Sequence, residues 1–205
     1  PNSLKKTCEV TVVEGDPFNG YEYVDLGLPS GTLWAKYNVG STSNTESGLL
    51  FCWGETKGYV QEDPEVLDFS FFTEDRYQVD YPVDTPLDDE HDAARVNMGG
   101  RWKMPTESQC TELINNTENY LAEDGGKKGW LFISKTNGNS IFLPINSYHP
   151  QYDTKLSGGI WTRSCTYSNG IELTFNQGIV FPKGRIYTGQ SAKRYPYNIR
   201  GVIKL

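Results

Sequence analysis

The chain has 205 residues, which is enough for one large domain or for one domain with an appendage. Hydrophobic residues make up 37% of it and aromatic residues 13%, a composition that favours a compact globular fold over a disordered chain. No stretch approaches the roughly 20 apolar residues of a membrane helix, so we expect no membrane span. The formal net charge of −7 and the lack of a nucleic-acid-binding motif argue against a nucleic acid as partner.

The charge is distributed unevenly along the chain. Residues 54–90 contain 12 acidic residues against two basic ones, whereas residues 155–205 contain eight basic residues against one acidic residue. The last quarter therefore carries a net charge of about +7, which indicates an interaction surface. The sequence leaves a second interpretation open, in which the acidic and basic regions face each other inside one domain.

Residues 1–20 are predicted to form a strand and a linker that precede the main domain at residues 21–205. Residues 1–13 end in the alternating pattern of an edge strand. The run Lys5-Lys6-Thr7-Cys8-Glu9-Val10-Thr11-Val12 resembles the last strand of a bacterial immunoglobulin-like repeat. That resemblance implies either the end of an upstream domain or a strand that returns to this one. Residues 14–20, which are rich in Gly, Pro and Asn, are predicted to form the linker.

Hydrophobic periodicity predicts an α+β fold that combines two helices with many short strands. The strands are predicted at residues 21–26, 32–38, 49–53, 130–134, 140–143, 160–163, 171–175, 179–181 and 197–203. The pair Asn137-Gly138 is a strong hairpin signal between two of them. Residues 54–85 show no periodicity and are predicted to be a long acidic insertion, and loops of this length in compact domains usually have a function.

The first helix is predicted over residues 88–97, with Leu87, Ala94 and Met98 facing the core. Acidic residues cluster just before it or at its start, namely Asp84, Asp88, Asp89 and Glu90. Carboxylates are the hard ligands that Ca²⁺ prefers, but no Asp-x-Asp-x-Asp-Gly loop is present. The alternative is a solvated acidic loop in which Asp88 or Asp89 caps the helix. Apart from this open calcium option, we expect no cofactor and no metal site.

The second helix is predicted from Glu107 to Asn116, because Thr106 is a suitable N-cap and Gln109 completes a capping box. The pair Gly99-Gly100 before it allows a tight or left-handed turn. In the segment Arg101-Trp102-Lys103-Met104, apolar and charged residues alternate, so one face should be buried and one exposed. This segment carries no side chain that indicates catalysis, and we interpret its role as structural.

Four motifs, taken in this order and spacing, closely resemble the Fibrobacter succinogenes major paralogous domain family over residues 21–205. They are Val24-Asp25-Leu26-Gly27-Leu28-Pro29-Ser30-Gly31-Thr32-Leu33-Trp34-Ala35 with Asn38-Val39-Gly40; Phe51-Cys52-Trp53-Gly54-Glu55-Thr56; Asp92-Ala93-Ala94 with Gly99-Gly100-Arg101-Trp102-Lys103-Met104-Pro105-Thr106; and Asn137-Gly138-Asn139-Ser140-Ile141-Phe142-Leu143-Pro144. The resemblance implies a C-type-lectin-like fold, which is also similar to the fold of the formylglycine-generating-enzyme group. Such a fold has a mixed, twisted sheet with two helices and a loop-rich ligand face.

The family resemblance also implies a place for the protein. Family members are typically lipoproteins or modular secreted proteins on the surface of gut and rumen bacteria, so we expect an extracellular, lipid-anchored location. Related lectin-fold domains are the variable ligand binders of diversity-generating retroelements. The chain departs from the family pattern near its end, where Ile160-Trp161-Thr162-Arg163-Ser164 replaces a Tyr-Trp-Ser-Ser segment. The recognition surface is therefore expected to be individual. The Glu-Pro-Asn and Trp-Asn-Asp motifs of calcium-dependent sugar binding are missing.

Catalytic residues are scarce in this sequence. Its two histidines, His91 and His149, are predicted to be a surface residue and a loop residue. The four cysteines lack the spacing of a metal site, and we expect them to be reduced thiols. Enzymatic relatives in the fold group use paired cysteines, whereas Cys165 is the only cysteine in the predicted ligand face. The sequence therefore predicts a protein that is not an enzyme.

The last 45 residues are the best candidate for a binding site. The predicted ligand-binding residues are Arg163, Tyr167, Asn169, Arg185, Tyr187, Gln190, Lys193, Arg194 and Tyr195. Tyr and Arg between Gly, Ser and Asn are typical of binding surfaces, since Tyr stacks on sugars and Arg grips carboxylate or sulfate. Any one of these tyrosines could instead pack the sheet, and Tyr197, which alternates with Ile199, is assigned to the core.

The sequence thus predicts a monomeric, adhesin-like domain that binds a glycan or a surface protein through loops at residues 161–195. Two alternatives stay open. One is a structural domain at the tip of a stalk or in an assembly, with no small ligand. The other is an enzyme related to the formylglycine-generating group.

Overall fold

The computed structural model describes residues 16, 18–60, 72–82, 84–145, 156–166, 169–177 and 185–204. Within them the chain forms a mixed α+β domain with two helices and eleven strands in three sheets. The strands are β1 (Tyr23–Asp25), β2 (Thr32–Asn38), β3 (Leu50–Phe51), β4 (Thr117–Asp124), β5 (Lys127–Ser134), β6 (Ser140–Pro144), β7 (Leu156–Thr166), β8 (Asn169–Gln177), β9 (Arg185–Ala192), β10 (Tyr197–Asn198) and β11 (Arg200–Lys204). The helices are α1 (Ala93–Met98) and α2 (Glu107–Asn116). The strands predicted at residues 1–13 and 179–181 lie outside the described residues.

The three sheets have different strand orders. The first is β1-β2-β11, the second is β3-β10-β7-β8-β9 and the third is β4-β5-β6. All pairs are antiparallel except β10 with β7. Neither helix in the described part of the chain has the length and apolarity needed to cross a bilayer.

Strands β2 and β11 separate two hydrophobic cores. Leu33 of β2 and Ile203 of β11 belong to one core, while Trp34 of β2 and Val202 of β11 belong to the other. Successive side chains of a strand point to opposite faces, so a strand with a core on each side must be apolar at almost every position. The sequence Thr-Leu-Trp-Ala of β2 meets this requirement, and all four residues are buried.

The loop between the helices has the predicted conformation. Gly99 and Gly100 have φ angles of 67° and 57°, which favour glycine. Trp102 and Met104 are buried. Helix α2 spans the predicted residues, with both hydrogen bonds of its capping box. Trp102 Nε1 also donates to the carbonyl oxygen of Phe18 (2.6 Å), so the described end of the predicted linker is attached to this loop.

Helix α1 begins later than predicted. Its N-cap is Asp92, whose side chain accepts a hydrogen bond from the Arg95 backbone, so the expectation that Asp88 or Asp89 caps it is wrong. Asp88 instead accepts hydrogen bonds from two backbone N–H groups in the turn before the helix. Asp92 also accepts from the Met104 backbone at 2.9 and 3.0 Å and is fully buried. The Asp92 carboxylate therefore caps α1 and also holds the loop that follows α1. A carboxylate on the surface, such as Asp88, cannot reach both groups.

A buried arginine joins two of the sheets. Arg200 of β11 is fully buried, and its guanidinium donates to Asn38 Oδ1 (2.8 Å), to the Ala35 and Lys36 carbonyls of β2, and to the Phe142 carbonyl of β6 (2.7 Å). Burial lowers the pKa of Arg200 to about 9. Removing a charge from water is costly, and here acceptors on two other strands compensate for that cost.

We predict that Arg200→Lys lowers the free energy of unfolding by about 2–4 kcal/mol, because an ammonium cannot bond the same spread of acceptors. Urea denaturation followed by tryptophan fluorescence measures the change. Arg185→Lys, at an exposed position, is the matched control and should have little effect. Equal unfolding midpoints for the two variants would show that Arg200 does not have this role.

Candidate functional site

The predicted ligand-binding residues lie mainly on strands. Arg163 is on β7, Asn169 begins β8, and Arg185, Tyr187 and Gln190 are on β9. Only Lys193, Arg194 and Tyr195 follow β9 in a turn, and Tyr167 lies outside the described residues. The expectation that loops carry the site is therefore wrong for Asn169, Arg185, Tyr187 and Gln190, which lie on strands. Strand β9 pairs with β8 over eight consecutive residues, which leaves no loop at its predicted site residues.

Three of the predicted residues meet in a surface cleft, called here the polar cleft. The polar cleft has a volume of about 330 Å³ and is lined by Glu74, Tyr77, Asn169, Ala192, Lys193 and Arg194. Lys193 Nζ lies 4.4 Å from the centre of the Trp53 ring, and the Arg194 guanidinium lies 4.9 Å from the Tyr195 ring. The polar cleft thus combines charged groups with an amide and with aromatic rings.

Acidic and basic regions face each other at the polar cleft. Arg194 Nη1 lies 2.8 Å from Glu74 Oε1, which belongs to the acidic insertion. This contact bears out, at this point, the interpretation that the two charged regions meet within one domain. Arg194 is therefore not an isolated positive charge, and the polar cleft offers both a donor and an acceptor.

The remaining tyrosines and β9 residues have different environments. Arg185 lies 4.6 Å from the Tyr187 ring, and Gln190 is exposed further along the same strand. Tyr195 is half-buried against a hydrophobic core. Tyr197 is buried, which confirms its assignment to the core. None of these three β9 residues lines the polar cleft, and Arg185 lies at the opposite end of β9 from Ala192.

Arg163 belongs to a different cavity, called here the basic groove. The basic groove has a volume of about 420 Å³, and its charged lining residues are Asp89, Arg95, Arg101, Lys103, Arg163 and Lys204. Arg163 also donates to the Leu87 carbonyl and lies 4.0 Å from Asp92. The sequence could not predict this grouping, since its members come from separate segments of the chain.

The candidates for metal binding and catalysis have other partners. Asp88 bonds His91 at 2.8 Å, and Asp89 pairs with Lys103 at 2.7 Å. In the described ranges no three His, Cys, Asp or Glu side chains group closely enough to hold a metal ion. Cys52, Cys110 and Cys165 are free thiols, and burial raises the pKa of the first two. Cys8 and His149 lie outside the described residues.

Sequence reasoning missed one buried carboxyl group. Glu172 on β8 is only 4% exposed, and its Oε2 has no hydrogen-bond partner among the described residues. Burial raises the pKa of Glu172 to about 7, against the opposing effect of a hydrogen bond with Tyr197. The available signal was a single acid between Ile171 and Leu173 in an apolar strand.

We predict that Glu172 makes the protein less stable as pH rises from about 4.5 to about 7. Over that range the folded state holds a proton that the unfolded state has released, so unfolding becomes more favourable. At pH 8, Glu172→Gln should therefore raise the free energy of unfolding by about 2–3 kcal/mol. Near pH 4 the gain should disappear.

Urea denaturation at both pH values measures this effect, with the exposed Glu118→Gln on β4 as control. A gain that is the same at pH 4 and pH 8, or that the control reproduces, would contradict an ionisation at Glu172.

No protein-family model, curated protein or solved structure matches this chain. Membership of the family proposed from the four motifs therefore stays a prediction.

Proposed function

We propose that this chain is a non-catalytic, ligand-binding domain of an exported bacterial surface protein, with a C-type-lectin-like fold. The α+β architecture, with two helices and a predominance of strands among the described residues, supports that fold. The loop and capping box at Gly99–Thr106, which carry much of the motif resemblance, have the geometry predicted from the sequence. The ligand is a glycan or a surface protein.

The composition of the polar cleft is the main support for this proposal. It brings Asn169, Lys193 and Arg194 from the predicted site together with Tyr77 and Glu74 of the acidic insertion. An amide, cations and a carboxylate supply hydrogen bonds in both directions, which is what hydroxyl-rich or acidic sugars require. The acidic insertion thereby gains a role, since its residues form one wall of the polar cleft.

The lining residues support binding rather than catalysis. Nucleophilic catalysis needs a nucleophile with an adjacent base and an orienting group. In the polar cleft the Tyr77 hydroxyl donates to the Trp53 carbonyl at 2.6 Å, and the Glu74 carboxylate pairs with Arg194. The Tyr77 hydroxyl is therefore engaged with the main chain, whereas the exposed Glu74 can exchange Arg194 for a ligand.

The anchoring of Lys193 supports a pre-formed site. Its carbonyl accepts a hydrogen bond from the Trp53 backbone N–H at 2.8 Å, and its ammonium lies over the ring of the same residue. Trp53 is fully buried, so Lys193 is attached to the core. A pre-formed site loses less entropy when it binds.

We predict that Arg194→Ala weakens binding of an acidic glycan about tenfold, because it removes a charge-assisted hydrogen bond and leaves Glu74 to repel the ligand. A glycan array identifies the ligand, and isothermal titration calorimetry measures affinities at low and physiological salt. The loss should be larger at low salt, where screening is weaker. Arg185→Ala should have a much smaller effect in the same direction, since Arg185 lies at the opposite end of β9 from the polar cleft and acts there only through its charge.

Lys128→Ala is the matched control, because Lys128 is exposed on β5 in the third sheet. Unchanged affinity in Arg194→Ala, or an equal loss in Lys128→Ala, would remove the polar cleft as the binding site. Capture of a surface protein without any glycan binding would favour protein adhesion instead.

A further inference from the structure

We propose that the basic groove is a second binding site, for a tetrahedral oxyanion, sulfate or phosphate, either free or as the ester group of a small ligand. It is separate from the polar cleft and does not depend on the function proposed for it. Its volume of about 420 Å³ is in the range of cavities that hold small ligands. Five of its lining side chains are cationic, and one is a carboxylate.

The floor of the basic groove is fixed by the main chain. Lys103 and Val202 exchange two backbone hydrogen bonds, at 3.0 and 2.8 Å. The Arg163 backbone N–H donates to the Pro105 carbonyl at 2.8 Å. Met104 and Val202, which belong to this floor, are both buried. The loop that carries two of the cations therefore has little freedom to collapse onto them.

The cations converge from four separate segments. Arg95 comes from α1, Arg101 and Lys103 from the loop after it, Arg163 from β7 and Lys204 from β11. Guanidinium groups bind the paired oxygens of sulfate and phosphate through two parallel N–H donors, so three arginines around one groove favour an oxyanion over a neutral ligand.

Internal carboxylates compensate only part of this charge. Asp89 lies 2.7 Å from Lys103 and 3.5 Å from Arg95, and Asp92 lies 4.0 Å from Arg163. Against five cations these two carboxylates leave an excess of three positive charges. The Asp89 pairs are about half-exposed, and exposed ion pairs contribute little, so an incoming oxyanion can replace Asp89.

The negative charge of the rest of the protein favours a small ligand over a long polyanion. The chain has a net charge of −7, so a long polyanion that extends beyond the basic groove meets overall repulsion. A single sulfate or phosphate group avoids that repulsion, because it lies within the local positive field.

Isothermal titration calorimetry at low ionic strength, with sodium sulfate, a monosulfated disaccharide and the same disaccharide without sulfate as probes, tests this proposal. The two sulfated probes should bind and the unsulfated one should not. Equal affinities for sodium sulfate and the sulfated disaccharide would identify the free ion as the ligand, and tighter binding of the disaccharide would identify an ester. Duplex DNA that binds more tightly than either would overturn the choice of a small oxyanion.

Variants locate the site. The triple variant Arg95→Gln, Arg101→Gln and Lys204→Gln should bind sulfate about tenfold more weakly, while Asp89→Asn should bind about threefold more tightly because it removes the internal competitor. The control carries three substitutions of the same charge at exposed lysines elsewhere, Lys57→Gln, Lys128→Gln and Lys135→Gln.

If both triple variants lose the same affinity for sulfate, the loss comes from net charge alone and the proposal is overturned. Unchanged affinity in the variant of Arg95, Arg101 and Lys204 would overturn it as well. Lys128→Ala, on β5 in the third sheet, should leave sulfate binding unchanged within about twofold, given the usual independence of distant sites. Thermal unfolding of each variant verifies that it is folded, and the single Asp89→Asn variant keeps the proposal testable if the triple variant is not.

Discussion

The buried guanidinium of Arg200 fixes the first sheet against the third. A charge without water is stable only where the surrounding atoms replace the lost hydration, and Arg200 meets carbonyl or amide oxygens from β2 and β6. Those acceptors are main-chain groups except for Asn38 Oδ1, so they fix the positions of strands rather than side chains. Because Arg200 itself lies on β11, the first and third sheets have one relative position in which all of these bonds form.

Indole groups hold β7 of the second sheet against β3 and the residues that follow β3. Trp161 Nε1 donates to the Phe51 carbonyl at 3.0 Å, and Trp53 Nε1 donates to the Thr162 carbonyl at 2.9 Å. The Trp53 backbone in turn holds Lys193 at the edge of the polar cleft. The proposed binding surface is thus built on buried tryptophans, which explains how turn residues after β9 can present charged groups in a defined position.

Local patterns in the sequence predicted local structure well. The capping box at Thr106 and the strand Thr32–Asn38 follow from residues that are close in sequence, and the structure has both. Strands β4 and β9 were missed, because their side chains are mostly half-exposed and polar and show no clear apolar alternation. The grouping of Arg163 with Lys204, and of Arg194 with Glu74, depends on chain segments that meet only in the fold. The charge distribution indicated that acidic and basic regions could face each other, but it does not identify which residues pair, so the predicted site was divided between two cavities.

Native-state hydrogen exchange can show whether Arg200 couples the first and third sheets into one cooperative unit. Amides in the middle of β2, β6 and β11 should then exchange with one common free energy, equal to that of global unfolding. If the amides of β4, β5 and β6 instead exchange through an opening of much lower free energy, while those of β2 and β11 stay protected, the third sheet is not held by Arg200 and the account is contradicted.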